Sequence, residues 1–151
     1  MKILNIKVVI VGHTMDEIYL ESLKQKAKKL GVEHQIIFTG FTKEVNEHMN
    51  LFDVNILATK KETFGLVIIE AMVNKVCILA TNSGGPLELI NDKHDGLLFD
   101  RISKDLAKKI KLLYDDVDYK NRLALAGYEK AKKMFDSEKQ NQALLNILGN
   151  M

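Results

Sequence analysis

The chain has 151 residues, a length that suits one domain with a sizeable core. Its net charge of +2 is too small to indicate a nucleic-acid partner, and its only arginines are Arg101 and Arg122. The single cysteine, Cys77, excludes an internal disulfide and fits a reducing compartment. No apolar run approaches the roughly 18 residues of a membrane span, and no signal-peptide cleavage site follows the N-terminus, so we expect a cytoplasmic protein.

Strand-like runs alternate with helix-like segments along the chain. The first strand-like run, 7–11, ends at Gly12, and a helix over 18–30 stops at Gly31. In chain order, the further predicted strands are 34–39, 53–58, 76–81 and 96–99. The further predicted helices are 43–51, 64–74, 86–90, 103–114, 118–135 and 137–148. This alternation predicts a single doubly wound α/β domain over residues 1–151, with a parallel sheet covered by helices on both faces.

Ligands of such folds bind where loops leave the carboxyl ends of the strands. The predicted strands place four loops at that edge of the sheet, and each loop contains a glycine, a hydroxyl side chain or both. These loops are 12–14, 40–42, 59–63 and 82–86. Candidate binding residues are therefore sought in them and at the start of the helices that follow.

Glu70 lies within a predicted helix, among mostly apolar neighbours. At three and four residues from it stand Leu66, Val67, Val73 and Asn74. A buried carboxylate is costly unless donors bond to it, and the two hydroxyls of a sugar or ribose diol would do so. The alternative is a glutamate at the sheet edge, or one that pairs with Lys75. The spacing favours neither.

Glu62 lies in the loop before that helix, and Thr63 is the predicted cap. The helix N-terminus would then present the amides of Phe64, Gly65 and Leu66. Free amides and the helix dipole together suit a phosphate. Glu62 and Glu70 would lie roughly 10 Å apart along the helix, far enough to hold two ends of an extended ligand. The alternative, an ordinary capped helix with an exposed glutamate, is favoured when this motif is taken alone.

A third motif, TNSGGPLELI, places Gly84 and Gly85 between a strand and a short helix. Paired glycines allow a backbone to fold tightly against a ligand. The alternative is a plain strand-to-helix turn, and the motif alone does not decide between them.

These motifs follow one another in a recognisable order: Gly12 after a strand, FTGF, DVNILATKKETFGLVIIEAM and LATNSGGPLELINDKHDGLLF. In this order they resemble the carboxyl-terminal domain of the retaining glycosyltransferases of family 4, which have the GT-B fold. The resemblance runs from about residue 7 to the carboxyl terminus, and its core is the E-x7-E signature from Glu62 to Glu70. It implies that this Rossmann-like domain is the carboxyl-terminal half of a GT-B fold. Lys75 departs from the pattern, because the family has a glycine at that helix end, where a positive φ is expected.

The resemblance implies a site for a nucleotide-diphospho-sugar. Glu62 would contact the donor sugar as the catalytic residue, and Glu70 would bind the ribose hydroxyls. The other implied donor-binding residues are Thr63, Phe64, Gly65, Leu66, Gly12, Gly84 and Gly85, with Gly40 and Phe41 near the base. Transfer would proceed with retention and without a metal or other cofactor. The D-x-D of Asp116 to Asp118, formally shared with metal-using glycosyltransferases, is interpreted as a solvated linker between helices.

The resemblance also implies parts that this sequence does not match. In the family, a Gly-Arg pair and a lysine bind the diphosphate before the first strand, and an N-terminal domain supplies the acceptor site. We therefore expect the chain to need an N-terminal Rossmann-like domain or a partner chain, and to be inactive alone. Surface glycan or polysaccharide synthesis, with peripheral membrane attachment, fits the family.

The apolar predicted helix 137–148 adds a further expectation. It predicts a surface that forms a homodimer or binds a partner chain, unless the helix packs on its own sheet. Two other functions remain open for the chain: a non-catalytic nucleotide or nucleotide-sugar-binding module, and a subunit of a split enzyme. The E-x7-E signature argues against a third, another GT-B enzyme such as a nucleotide-sugar epimerase.

Overall fold

The computed structural model describes residues 5–135, and within them strands alternate with helices. The strands are β1 (Val8–Val11), β2 (Ile36–Gly40), β3 (Val54–Leu57), β4 (Cys77–Thr81) and β5 (Leu97–Phe99). The helices are α1 (Glu17–Lys29), α2 (Val45–Met49), α3 (Leu66–Val73), α4 (Pro86–Leu89), α5 (Ser103–Asp115) and α6 (Val117–Met134). Every strand pair is parallel, so the predicted parallel α/β fold is confirmed.

The strands lie in two sheets, which the alternation of elements did not predict. β1 pairs with β2, and β4 lies between β3 and β5. The chain likewise forms two compact units, residues 1–45 and 46–151. Hydrophobic periodicity identifies a strand but not the strand beside it, which is why the division was not visible in the sequence. The expectation of one domain over 1–151 stays a prediction. The predicted helix 137–148 lies outside the described residues, so the homodimer predicted through it also stays a prediction.

The first unit is built around the pair β1 and β2. Val11, at the end of β1, lies opposite Gly40, at the end of β2. The amide of Gly12 continues the pairing by donating to the carbonyl of Gly40 at 2.9 Å. Asp16 caps α1, because its carboxylate accepts a hydrogen bond from the amide of Tyr19 at 2.8 Å. The two strand ends therefore open onto the loops that precede α1 and α2.

The second unit is built around β4, whose residues are all buried. Successive side chains of a strand point to opposite faces of the sheet. Ile78 and Ala80 accordingly join one buried cluster with α3, whereas Cys77 and Leu79 join another with α5. Helix α6 contributes to both clusters. Helices thus cover both faces of this sheet, the layering that the sequence predicted.

Among residues 5–135, no helix is long and apolar enough to cross a membrane.

Candidate functional site at the strand ends

The carboxyl ends of β3 and β4 bring two of the predicted loops together. Leu57, at the end of β3, pairs with Ala80 of β4. One residue further along β4, the hydroxyl of Thr81 donates to the carbonyl of Thr59 at 3.1 Å. The loop from β3 to α3, which contains Glu62, therefore starts beside the loop from β4 to α4, which contains the glycine pair.

The carboxylate of Glu62 bonds to the backbone that follows it. Its Oε1 accepts hydrogen bonds from the amide of Phe64 at 3.3 Å and from that of Gly65 at 2.9 Å. Gly65 has a left-handed conformation, with φ 86°, and α3 begins directly after it. A carboxylate in this place is favoured by the helix dipole. Glu62 thus accepts hydrogen bonds from two of the amides that the sequence had predicted to bind a sugar or phosphate.

This geometry corrects two predictions about the start of α3. The helix begins at Leu66 and not at residue 64, and the amides before it are bonded by Glu62, with no side-chain cap from Thr63. The left-handed Gly65 prevents the helix from extending back toward Glu62. The predicted spacing of Glu62 and Glu70 counted residues before Leu66 as helical, and their separation stays a prediction.

Gly84 and Gly85 pack against the backbone of the Glu62 loop. The amide of Gly85 donates to the carbonyl oxygen of Glu62 at 2.9 Å. A Cβ on Gly84 would lie 2.5 Å from that same oxygen, and a Cβ on Gly85 would lie 2.8 Å from the carbonyl oxygen of Thr63. The glycine pair therefore allows the backbone of its own loop to approach that of the Glu62 loop closely. Contact of these glycines with a ligand stays a prediction.

Glu70 is half-buried on α3, and within residues 5–135 its carboxylate has no hydrogen bond or ion pair. The alternative partner, Lys75, instead places its ammonium 4.6 Å from the ring centroid of Tyr128, a cation–π contact. Lys75 adopts φ 56°, the left-handed conformation expected where the family has glycine. The pairing of Glu70 with Lys75 therefore does not form, and the carboxylate keeps its capacity to accept hydrogen bonds.

Two side-chain hydroxyls at this edge were missed by sequence reasoning. The oxygens Thr59 Oγ1 and Ser83 Oγ are buried and have no hydrogen-bond partner among residues 5–135. Serine and threonine are common in loops, so neither residue stood out. The one available signal was their place in the loops 59–63 and 82–86, at the ends of neighbouring strands. They place two further hydroxyl groups in these neighbouring loops that could form hydrogen bonds.

In the first unit, the predicted residues Gly12 and Gly40 lie side by side through their backbone hydrogen bond. Both have positive φ, 138° for Gly12 and 72° for Gly40, and no atom of residues 5–135 lies within 4 Å of where a Cβ would stand. Phe41 follows with a side chain that is 70% exposed. In the second unit the side chains of Phe64 and Leu66 are also exposed. These apolar surfaces are available for contact with a ligand.

The D-x-D segment has a structural role. Asp116 caps α6, since its carboxylate accepts a hydrogen bond from the amide of Tyr119 at 2.8 Å. In the described part of the chain, no three side chains of His, Cys, Asp or Glu are grouped so that they could hold a metal ion. The absence of a metal from the reaction stays a prediction.

Residues 1–143 match the family described as Glycosyl transferases group 1. The lipopolysaccharide core biosynthesis glycosyltransferase LpsE of Rhizobium meliloti is 27% identical over 131 residues, which cover 86% of this chain and 38% of LpsE. HepE of Anabaena, solved in complex with UDP, has a TM-score of 0.89 and 27% identity, covering 97% of this chain and 41% of HepE.

A third relative indicates which part of such enzymes this chain matches. The solved C-terminal domain of LpcC, a group 1 glycosyl transferase of Francisella tularensis, has a TM-score of 0.80 and 30% identity. The match covers 85% of this chain and 69% of the solved LpcC domain. The chain spans 38% of the length of LpsE and 41% of the length of HepE. Its fold is that of the carboxyl-terminal half of a GT-B enzyme, and the chain belongs to the group 1 glycosyltransferases.

Proposed function

We propose that this chain is the donor-binding half of a retaining glycosyltransferase and that Glu70 binds the ribose of a nucleotide-diphospho-sugar. The observation that carries the proposal is the carboxylate of Glu70, which is half-buried and has no partner among residues 5–135. A carboxylate in this environment gains most from two donors that arrive together, as the vicinal hydroxyls of a ribose do.

The proposed nucleotide is UDP. HepE, the structural relative at 27% identity, was solved with UDP, and also with UDP-glucose at a TM-score of 0.86. The amide of Leu66 is proposed to contact the diphosphate or sugar. The contact of Phe41 with the base, which the resemblance implies, stays a prediction. The proposed acceptor class is a surface glycan or polysaccharide, because the relative LpsE takes part in lipopolysaccharide core biosynthesis.

Glu62 is the proposed contact for the donor sugar. Its Oε1 is held by the amides of Phe64 and Gly65, while its Oε2 has no partner within residues 5–135. One oxygen therefore fixes the carboxylate, and the other is left to accept a hydrogen bond from a sugar hydroxyl. A preorganised group of this kind needs no rearrangement when the donor arrives.

The chain alone is proposed to bind the donor without transferring it. The facing N-terminal domain would exclude water and supply the acceptor, so transfer requires that domain in the same chain or in a partner. A non-catalytic module, or one subunit of a split enzyme, is the second candidate. Transfer of sugar from UDP-glucose after addition of a separately expressed N-terminal half would distinguish the split enzyme from the module.

The decisive experiment is calorimetric titration of the full chain with UDP, GDP, ADP and their common sugar conjugates. We expect saturable binding of UDP, and a loss of affinity of at least about tenfold in Glu70→Ala, since hydrogen bonds to a charged group contribute about 1.5–3 kcal/mol. Glu129→Ala, which removes an exposed glutamate of α6, is the matched control and should bind like the wild type. Unchanged affinity in Glu70→Ala, or no nucleotide binding by the wild type, would reject the proposal.

A further inference from the structure

Lys130, on α6, contacts both the last residue of α4 and the segment that follows α4. Its ammonium donates to the carbonyl of Leu89 at 2.6 Å and to the carboxylate of Asp95 at 2.9 Å. The side chain of Lys130 is 18% exposed and that of Asp95 is 2% exposed. The other carboxylate oxygen of Asp95 accepts from the amide of Asn91 at 2.7 Å. Asp95 is buried and Lys130 is partly buried, so removing either member would leave an uncompensated group.

The helix that Lys130 holds is in contact with the Glu62 loop at both of its ends. Before the helix, the amide of Gly85 donates to the carbonyl of Glu62. At the last residue of the helix, Leu89 lies against Gly65, where a Cβ would be 3.2 Å from Leu89 Cδ1. With only four residues, α4 is too short to be stable by its own hydrogen bonds. Its position therefore depends on what anchors it.

We propose that Lys130 is a positioning residue for the Glu62 loop. By holding the carbonyl of Leu89, it fixes α4, and α4 in turn fixes Glu62 and Gly65 at the start of α3. This inference rests on the proposed function, since the loop matters because of the donor that it is proposed to bind. It assigns a part in donor binding to a residue of α6, outside the E-x7-E signature and the glycine pair.

Helix α6 supplies a matched control in Lys120. This lysine also forms an ion pair, at 2.6 Å, with Asp53. Asp53 is 85% exposed and directly precedes β3, whereas the Glu62 loop follows the other end of that strand. Lys120→Met should therefore remove a lysine contact of the same helix without loosening the Glu62 loop.

The test measures amide hydrogen exchange by NMR, without nucleotide, in the full chain and its variants. We expect Lys130→Met to speed exchange at the amides of Gly65 and Gly85 by at least about tenfold, while exchange in β4 is unchanged. Lys130→Arg should restore protection to within about threefold, because it keeps the charge and the donors. The affinity for UDP should fall at least about fivefold in Lys130→Met and stay unchanged in Lys120→Met.

The outcomes separate this inference from the proposed function. If Lys130→Met leaves the two loop amides protected, or if Lys120→Met loosens them equally, the positioning role is rejected. A wild type that binds no UDP, combined with faster loop exchange in Lys130→Met, would reject the proposed function and retain the positioning role. Should Lys130→Met fail to fold, Lys130→Gln, which keeps one donor group, takes its place in the same exchange measurement. Faster loop exchange in that variant supports the role, and wild-type exchange rejects it.

Discussion

The two units use glycine at their strand ends for different physical reasons. In the first unit, Gly12 and Gly40 have positive φ, but no atom of the described residues lies within 4 Å of the place where a Cβ would stand. In the second unit, Gly84 and Gly85 would place a Cβ 2.5 Å and 2.8 Å from backbone oxygens. The first pair is needed for a backbone conformation alone. The second pair is needed for the absence of a side chain, and at Gly84 the positive φ adds to that requirement. The same residue type at equivalent sheet edges therefore predicts different costs of substitution.

The two units also differ in how many of their residues are buried. Among residues 5–45 only Ala27 is fully buried, whereas every residue of β4 is buried in the second unit. A sheet of two strands with little buried surface is only marginally stable by itself. Changes that introduce strain or charge should thus be felt most strongly in the second unit.

The largest effect is expected from Gly84→Ala. The new Cβ would collide with the carbonyl oxygen of Glu62, and φ at this position is 63°, so steric overlap and left-handed strain act together. We expect a loss of about 3 kcal/mol in the free energy of unfolding and weaker UDP binding. Urea denaturation followed by circular dichroism measures the first and calorimetry the second. A stability loss below about 1 kcal/mol would show that the two loops are not closely packed.

An intermediate effect is expected from ionisation of the buried thiol on β4. Burial raises the pKa of Cys77 from 9.0 to about 12, although the positive charge of Lys120 opposes the change. In the unfolded chain the thiol ionises near pH 9, so its contribution to stability is complete below that pH and is lost as the pH rises toward 12. Between pH 8 and 10.5 the wild type should lose about 2 kcal/mol more than Cys77→Ala, each compared with its own stability at pH 8.

The measurement is the urea midpoint of both proteins across this pH range. Parallel stability curves for the wild type and Cys77→Ala would contradict the expected burial of the thiol in the native state. The same substitution also tests whether the alkaline loss of stability arises in the second unit.

The smallest effect is expected from Gly40→Ala, the counterpart of Gly84→Ala in the first unit. Its cost should be about 1 kcal/mol, because only the left-handed conformation, at φ 72°, is penalised and no atom is displaced. Gly40→Asn should cost less, since asparagine tolerates this conformation better than alanine. Thermal denaturation of the three proteins gives the comparison. If Gly40→Ala were as damaging as Gly84→Ala, the distinction between open and packed glycines would be lost.

Much of the fold was visible in the sequence because strand and helix signals are local. The β-branched run of β1 and the apolar stripes of the helices predicted their elements to within a few residues. Even the unusual end of α3 was foreseen, since Lys75 stands where a positive φ was expected and has φ 56°. The division into two sheets was not foreseen, because strand partners are set by long-range contacts.

The site was foreseen in part. The sequence pointed to Glu62, Gly84 and Gly85, but it predicted that the glycines fold against a ligand, which stays a prediction. It did not show that the three residues meet each other, because the two loops are separated by a strand and a helix. The bond from Glu62 to the amide of Gly65 was also invisible, since it depends on a left-handed turn that shortens the helix. Periodicity alone counts such residues as helical.

The place of α6 in both buried clusters has a consequence for synthesis of the chain. Strand β4 pairs with β5, and the two clusters on its faces include Ala131 and Leu123, both from α6. Neither face of the sheet is closed until this last described helix has left the ribosome. During translation the apolar strands therefore stay exposed to solvent until α6, which is synthesised after them, can pack on them. Chaperones should dissociate from the nascent chain only when α6 has emerged.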